Sequence, residues 1–256
     1  MLQKQRQDKI LECLAGGNYL SVEDAVRVFK SSPATIRRDF LELAESGQVL
    51  KVRGGVSSRK AQTVLPFSDR ESSCFSEKEA IAKSAVSMIC AGDVVFIDGG
   101  TTTFHMASVL PDMNIRIITN SLRLASALEE RSLNARWEIY LTGGFLYTRS
   151  GILLGPNAQG SLAQYHANLA FLSVSGIDGD GVYNNSELVV DAERVMISNS
   201  DRTVIMADHT KIGKHGLAKV CELDKICGII TDRNVSSNKS LNLIRKKGVG
   251  ITLVDV

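Results

Sequence analysis

Ser32-Pro33-Ala34-Thr35-Ile36-Arg37-Arg38-Asp39-Phe40 is the segment around which this chain is organised. A hydroxyl residue such as Ser32 suits a helix N-cap, and Pro33 suits the first helical turn because an N–H there needs no partner. Two adjacent arginines beside short polar side chains are typical of a helix that enters a DNA groove. A solvated helix face could carry the same charges, so the neighbouring segments have to decide between the two interpretations.

The preceding residues predict two more helices. Residues 4–15 place apolar side chains on one face, and this amphipathic pattern stops at Gly16-Gly17. A second helix is predicted over Val22–Phe29. The short turn Lys30-Ser31-Ser32 then leads into a third helix over residues 33–46. Two helices joined by so short a turn are typical of a helix-turn-helix motif.

The third helix supplies the candidate DNA contacts. In a helix-turn-helix, the second helix of the motif presents its N-terminal residues to the edges of the bases. Base and phosphate contacts are therefore predicted from Ser32, Ala34, Thr35, Arg37 and Arg38. The pattern does not decide which of the two arginines reads a base.

A basic hairpin is predicted after the third helix. Residues 48–56 alternate apolar and basic side chains and are interrupted by Gly54-Gly55. We interpret them as a wing that directs Lys51 and Arg53 toward the phosphate backbone. A plain connecting strand is the alternative.

Residues 3–58 resemble the winged helix-turn-helix domain of the DeoR family of bacterial sugar-catabolism regulators. The motifs that carry the resemblance are Arg6 with Ile10, S-P-A-T-I-R-R-D-F over residues 32–40, Leu43 followed by Gly47, and Arg53-Gly54-Gly55. Ala25, Ser31 and Arg53 depart from the usual family pattern. We expect these departures to affect which operator sequence is bound and how the domain packs, but not DNA binding itself.

Charge is distributed unevenly along the chain. Its formal net charge is +2, but residues 1–60 hold 11 Lys and Arg against 7 Asp and Glu, which leaves 19 against 21 in the remainder. A basic head on a slightly acidic body suits a nucleic-acid-binding domain joined to another domain.

Several protein classes are disfavoured by composition. No apolar run reaches the roughly 18 residues of a membrane span, and the N-terminus has no apolar signal core, so a cytoplasmic protein without a membrane partner is expected. The five cysteines form no CxxC pair. We therefore predict no metal site and no disulfide framework, and the absence of dinucleotide and P-loop motifs predicts no cofactor.

The second part of the chain predicts a Rossmann-like α/β domain. Near-continuous apolar strands alternate with helical segments, which favours a mostly parallel sheet covered on both faces. The predicted strands are 94–98, 115–119, 138–142, 169–174, 203–207, 226–231 and 251–254. The serine-rich segment 59–76 is interpreted as a linker, so the expected domains are 1–58 for DNA binding and 77–256 for ligand binding and oligomerisation.

Small polar residues follow most of these strands. In such sheets, ligands bind where the carboxyl ends of strands meet helix starts. The clusters are 98–103 (D-G-G-T-T-T), 119–121, 142–144, 175–178 and 208–211. The glycine–threonine turn lets backbone N–H groups approach an anion, so a phosphate suits this position. A turn with only a structural role is the alternative.

The same clusters, in order, are similar to the effector domain of DeoR regulators, which is related to ribose-5-phosphate isomerase and the glucosamine-phosphate deaminases. The resemblance implies that Gly99, Gly100, Thr101, Thr102 and Thr103 hold the phosphate of a sugar or polyol. It further implies that Asp98, Asn120, Gly143, Gly144, Glu187, Asp208 and Lys211 surround the sugar. Phe145 and Thr210-Lys211-Ile212 depart from the family pattern and are expected to alter ligand choice.

The resemblance implies a transcriptional regulator, by default a repressor of a carbohydrate catabolic operon. Its implied partners are an operator in double-stranded DNA, a phosphorylated effector and further copies of the chain in a dimer or tetramer. A sugar-phosphate isomerase or deaminase is the alternative, since carboxylates and a lysine in the clusters could in principle supply acid–base chemistry. The DNA-binding head favours the regulator.

Overall fold

The computed structural model describes residues 3–14, 19–52, 54–58, 66–131, 136–235 and 238–256, without the side chains of residues 19 and 52. The chain divides into two compact units, Met1–Leu65 and Pro66–Val256. No described helix combines the length and apolar character needed to cross a bilayer.

The first unit is a helix-turn-helix with a three-stranded wing. Its elements are α1 (Gln3–Leu14), β1 (Tyr19–Ser21), α2 (Val22–Phe29), α3 (Pro33–Glu45), β2 (Val49–Val52) and β3 (Gly55–Ser58). The three predicted helices and the hairpin are confirmed. Strand β1 pairs with β3 in antiparallel register and was not predicted, because three residues are too few to show an alternating pattern. The predicted stop at Gly16-Gly17 lies outside the described residues.

The second unit holds twelve described strands and eight described α-helices. The strands are β4 (Val94–Ile97), β5 (Ile115–Thr119), β6 (Trp137–Leu141), β7 (Phe145–Tyr147), β8 (Ile152–Leu154), β9 (Ala167–Ser173), β10 (Gly176–Asp178), β11 (Gly181–Asn184), β12 (Ser200–Met206), β13 (Ala218–Cys221), β14 (Gly228–Asp232) and β15 (Gly250–Val254). The helices are α4 (Phe67–Ser72), α5 (Phe75–Val86), α6 (Thr101–Phe104), α7 (Met106–Val109), α8 (Leu122–Glu130), α9 (Pro156–Leu162), α10 (Glu187–Ser198) and α11 (Lys239–Lys246).

Seven of these strands form one parallel sheet in the order β15-β14-β12-β9-β4-β5-β6. Each face is covered by a separate apolar cluster. In β4, Val95 and Ile97 point to the cluster that contains α5 and α8, whereas Phe96 points to the cluster that contains α10 and α11. All seven predicted strands are confirmed within a few residues, since strands buried on both faces are apolar throughout.

The strand order reverses between β4 and β9. From β4 the chain moves through β5 to β6, and it then returns to the other side of β4 to form β9, β12, β14 and β15. A crevice opens at such a switch point at the carboxyl ends of the strands, because the following connections leave in opposite directions. Asp98 follows β4 directly at this position.

The part of the predicted linker that the structure describes is folded. The second unit begins at Pro66, and α4 occupies residues 67–72 of the segment assigned to the linker, whereas residues 59–65 lie outside the described residues. The Phe67 ring is buried and meets the Phe104 ring edge to face, with the two ring centres 5.2 Å apart. One buried aromatic side chain thus fixes a helix too short for its periodicity to be recognised.

Candidate DNA-binding surface and effector site

Helix α3 exposes the predicted DNA contacts along one face. Ala34, Arg37 and Arg38 are exposed and Thr35 is half-buried, while the opposite face buries the apolar side chains Ile36, Phe40 and Leu43. Ser32 caps the helix, because its Oγ accepts a hydrogen bond of 3.2 Å from the backbone N–H of Thr35. Arg38 forms only a weak, exposed contact with Glu42 at 4.0 Å. The guanidinium groups on this face are therefore accessible to a nucleic acid.

A buried ion pair attaches α3 to α1. The side chain of Arg6 donates two hydrogen bonds to Asp39, from Nε to Oδ2 at 2.5 Å and from Nη2 to Oδ1 at 3.1 Å, and both residues are buried. The hydrogen bond to Asp39 raises the pKa of Arg6. The acidic residue of the Arg-Arg-Asp sequence therefore positions the helix, whereas the two arginines face outward.

The wing presents one of its two predicted phosphate contacts to solvent. Lys51 is exposed on β2, where it pairs in the antiparallel ladder with Val56 of β3. The other predicted contact, Arg53, lies outside the described residues. The DNA-contact assignments remain predictions.

The effector candidates centre on Asp98 at the switch point. Its carboxylate accepts hydrogen bonds from the backbone N–H groups of Gly100 at 3.1 Å and Ser173 at 2.9 Å, and from the Thr103 hydroxyl at 2.5 Å. Burial raises the pKa of Asp98 to about 6, against the opposing effect of these donors. The buried carboxylate thus links the ends of the two strands that flank the switch point.

The glycine pair after Asp98 is required by packing. A Cβ atom on Gly99 would lie 2.0 Å from Cγ2 of Ile152, and one on Gly100 would lie 1.3 Å from Oγ of Ser173. The Thr103 hydroxyl and the Gly100 N–H already bind Asp98. Part of the predicted phosphate cradle therefore serves the internal structure of the turn.

Replacing Gly100 with alanine should destabilise the second unit by about 1–3 kcal/mol or more, because the new methyl group overlaps the Ser173 side chain. The measurement is the midpoint of denaturant unfolding. Gly160→Ala is the matched control, since a Cβ at this helical position meets nothing within 4 Å; it should be neutral or stabilise by up to about 1 kcal/mol. Equal effects of the two substitutions would contradict the packing explanation.

The next strands bring further predicted residues to the same edge. Asn120 follows β5 and is buried; its Nδ2 donates to the carbonyl of Leu153, while its Oδ1 has no hydrogen-bond partner among the described residues. Gly143 and Gly144 follow β6 with φ angles of +69° and +113° and turn the chain into the β7–β8 hairpin. Strand β8 of this hairpin lies against Gly99 and Asn120.

On the other side of the switch point, Asp208 follows β12 and is buried. Lys78 of α5 lies within electrostatic range of both Asp208 and Lys211, whose charges change its pKa in opposite directions, while burial lowers that pKa. Lys78 also donates to the backbone carbonyls of Arg70 and, at 2.6 Å, Ser73. Glu187 is different, because it is exposed at the start of α10 and has no described hydrogen bond to another predicted effector residue.

The sequence interpretation missed several polar residues near this site. Glu193 of α10 is buried, accepts a hydrogen bond of 2.7 Å from Asn184 and leaves Oε2 without a partner among the described residues. Burial raises the pKa of Glu193, and the negative charge of Asp98 adds to this effect. Ser173, Arg70 and Lys78 were missed as well. They lie in β9, in the predicted linker and in α5, respectively, where no glycine or threonine cluster marks them.

Two groups of described side chains could hold a metal ion by geometry, although no motif predicted them. They are Glu77, His209 and Asp232, and Asp178, Asp180 and His215. In each group the histidine is already paired with a carboxylate; His209 Nδ1 lies 2.9 Å from Asp232 Oδ2.

Family profiles cover most of the chain. The DeoR-like helix-turn-helix domain matches residues 6–62, and the DeoR C-terminal sensor domain matches residues 73–233. The protein belongs to the DeoR family: it is a DNA-binding transcriptional regulator that joins a helix-turn-helix domain to a sensor domain.

Full-length relatives agree with this assignment. The HTH-type transcriptional regulator YulB of Bacillus subtilis (strain 168) is 33% identical over 99% of this chain and 98% of its own. The glycerol-3-phosphate regulon repressor of Escherichia coli (strain K12) is 33% identical over 91% of this chain and 92% of its own. A solved ribose 5-phosphate isomerase from Methanocaldococcus jannaschii is 15% identical, with 55% of each chain covered and a TM-score of 0.40. The names of these full-length relatives are those of transcriptional regulators, in agreement with the family assignment.

Proposed function

We propose that this regulator represses a carbohydrate catabolic operon and releases its operator when a phosphorylated sugar or polyol binds the second unit. The observation that carries the proposal is the buried polar cluster around Asp98 at the switch point of the sheet. A relative named as a glycerol-3-phosphate regulon repressor supports both the sign of the response and the class of effector. Such a regulator acts on the chromosome, so we infer a cytoplasmic location.

The operator is contacted by α3 and the wing. Arg37 and Arg38 supply base or phosphate contacts, Ala34 and Thr35 approach the base edges, Ser32 supports the helix start, and Lys51 and Arg53 bind phosphates. The accessible face of α3 and the exposed position of Lys51 support this assignment.

The effector binds at the carboxyl edge of the sheet. The proposed contacts are Asp98, Gly99, Gly100, Thr101, Thr102, Thr103, Asn120, Gly143, Gly144, Glu187, Asp208 and Lys211. Two observations support the core of this set. The Oδ1 of buried Asn120 has no hydrogen-bond partner within the described part of the chain, and Lys78 is electrostatically coupled to Asp208 and Lys211. Buried polar groups without partners are costly unless a ligand satisfies them.

The proposal also assigns a role to each part of the chain and includes a homo-oligomer. Residues 1–58 bind DNA, the segment from 59 to 76 connects the two parts and contributes helix α4 to the second unit, and residues 77–256 form the main effector-binding part and a dimer or tetramer. Oligomerisation sets the spacing of two recognition helices on half-sites about one DNA turn apart or a multiple of it. The effector can change operator affinity only by as much as it prefers one arrangement over the other.

A thermal-shift screen first selects, from a panel of phosphorylated sugars and polyols, the compounds that bind the full chain. The test then measures operator binding by the full chain in the presence of these compounds. Thr102→Ala and Lys211→Ala should keep operator affinity but lose the response to the active compound. Lys225→Ala is the matched control for Lys211, because Lys225 is an exposed lysine on a 3₁₀ turn. A normal response in both site variants would refute the pocket assignment.

A further inference from the structure

Two arginines lie against one buried aromatic ring in the second unit. The guanidinium carbon of Arg123, at the start of α8, lies 4.8 Å from the centre of the Phe67 ring, and that of Arg70, in α4, lies 5.7 Å from the same centre. Cations at these distances are attracted by the face of the ring. The ring thus holds two positive charges close together, although they repel each other.

The surroundings compensate this repulsion only in part. Arg70 donates a hydrogen bond of 2.9 Å to the Ser150 hydroxyl and lies within electrostatic range of the Asp98 carboxylate. Burial lowers the pKa of Arg70, and the nearby charge of Arg123 lowers it further. Arg123 has no carboxylate within ion-pair distance among the described residues. The charge distribution therefore favours an additional anion.

There is space for a ligand beside Arg123. An open cavity of about 530 Å³ beside Arg123 is also lined by Phe104, Leu122, Glu130, Thr148 and Gly151, whereas Arg70 and Ser150 are not among its lining residues. This volume lies within the range of small-molecule sites in proteins, which is roughly 300–1,000 Å³. This volume suits a small phosphorylated molecule, and the lining combines apolar side chains with one guanidinium group and one carboxylate.

We propose that Arg70 and Arg123 form the phosphoryl subsite of the effector site, with the Ser150 hydroxyl beside them. Guanidinium groups suit this task because their planar N–H groups bind phosphate oxygens in pairs. The proposal rests on the proposed function, and it moves the phosphate away from the turn at residues 99–103. That turn uses the Gly100 N–H and the Thr103 hydroxyl to bind Asp98, and two negative groups would compete for the same donors.

The first experiment measures anion binding without any assumption about the effector. The thermal midpoint of the full chain is recorded in sodium phosphate and in sodium chloride at equal ionic strength. Phosphate should raise the midpoint of the wild type and of Arg116→Gln, an exposed arginine paired with Glu138. Arg70→Gln and Arg123→Gln should require at least tenfold more phosphate for the same shift. No specific shift in the wild type, or equal shifts in all variants, would overturn the proposal.

The second experiment separates this proposal from the proposed function. Operator release is measured with glycerol 3-phosphate, ribose 5-phosphate and their unphosphorylated parents. Release that Thr102→Ala abolishes but Arg123→Gln preserves would leave the effector site in place and overturn the phosphoryl assignment. Loss of release in Arg123→Gln, with partial recovery in Arg123→Lys, would support it. If no phosphorylated compound releases the operator, the proposed function fails, and the phosphate titration alone decides the subsite.

Discussion

Replacing Asp39 with alanine should lower the free energy of unfolding of the first unit by about 3–5 kcal/mol, because it removes the carboxylate that neutralises the buried Arg6 guanidinium. A unit of this size has little stability to lose, so the first unit should be unfolded in most molecules at 37 °C. Denaturant unfolding followed by circular dichroism measures the effect. Operator binding should be lost in parallel, even though Asp39 is buried and touches no DNA.

The control for Asp39→Ala is Glu45→Gln, which removes the same charge from an exposed position of the same helix. It should leave stability almost unchanged. Replacing both partners, as Arg6→Met with Asp39→Leu, should recover much of the loss, since an apolar pair removes the uncompensated charge. A small effect of Asp39→Ala alone would contradict the role assigned to the ion pair.

Removing both arginines of α3, as Arg37→Ala with Arg38→Ala, should weaken operator binding by about 2–6 kcal/mol, or about 1–3 kcal/mol for each contact to a base. Both side chains are exposed, so the fold should be kept. The measurement is operator affinity at several salt concentrations, with circular dichroism to confirm that the domain is folded.

The two single variants distinguish the roles of the arginines. Loss of a base contact should relax specificity at one base pair of the operator. Loss of a phosphate contact should instead weaken binding to all DNA sequences alike, and it should reduce the slope of log affinity against log salt concentration by about one. Arg27→Ala is the control, because Arg27 is an exposed arginine on α2. Unchanged affinity in the double variant would remove the helix from the recognition surface.

Much of the fold follows from local sequence patterns. The cap predicted at Ser32 is present in the structure, where its hydroxyl accepts a hydrogen bond from the backbone N–H of Thr35, three residues later. The parallel strands were recognisable because burial on both faces makes them apolar throughout. The position of Asp98 followed from the rule that ligand sites lie at the carboxyl ends of strands.

The remaining features depend on contacts between residues that are distant in sequence. Gly100 looked like an anion-binding glycine, but its neighbour is Ser173, and no local pattern reports that approach. No local pattern marks Asp39 as buried, because its partner Arg6 lies 33 residues away. Arg70 lay in a serine-rich segment without periodicity, where only the burial of Phe67 reveals a helix.

Helix α4 has a consequence for how a signal could leave the effector site. Arg70 stands four residues after Pro66, the first residue of the second unit, and Leu65 ends the unit that binds DNA. Under the proposed phosphoryl assignment, the ligand binds a helix that begins two residues after the DNA-binding unit ends. The ligand-binding arginine therefore lies only five residues along the chain from that unit.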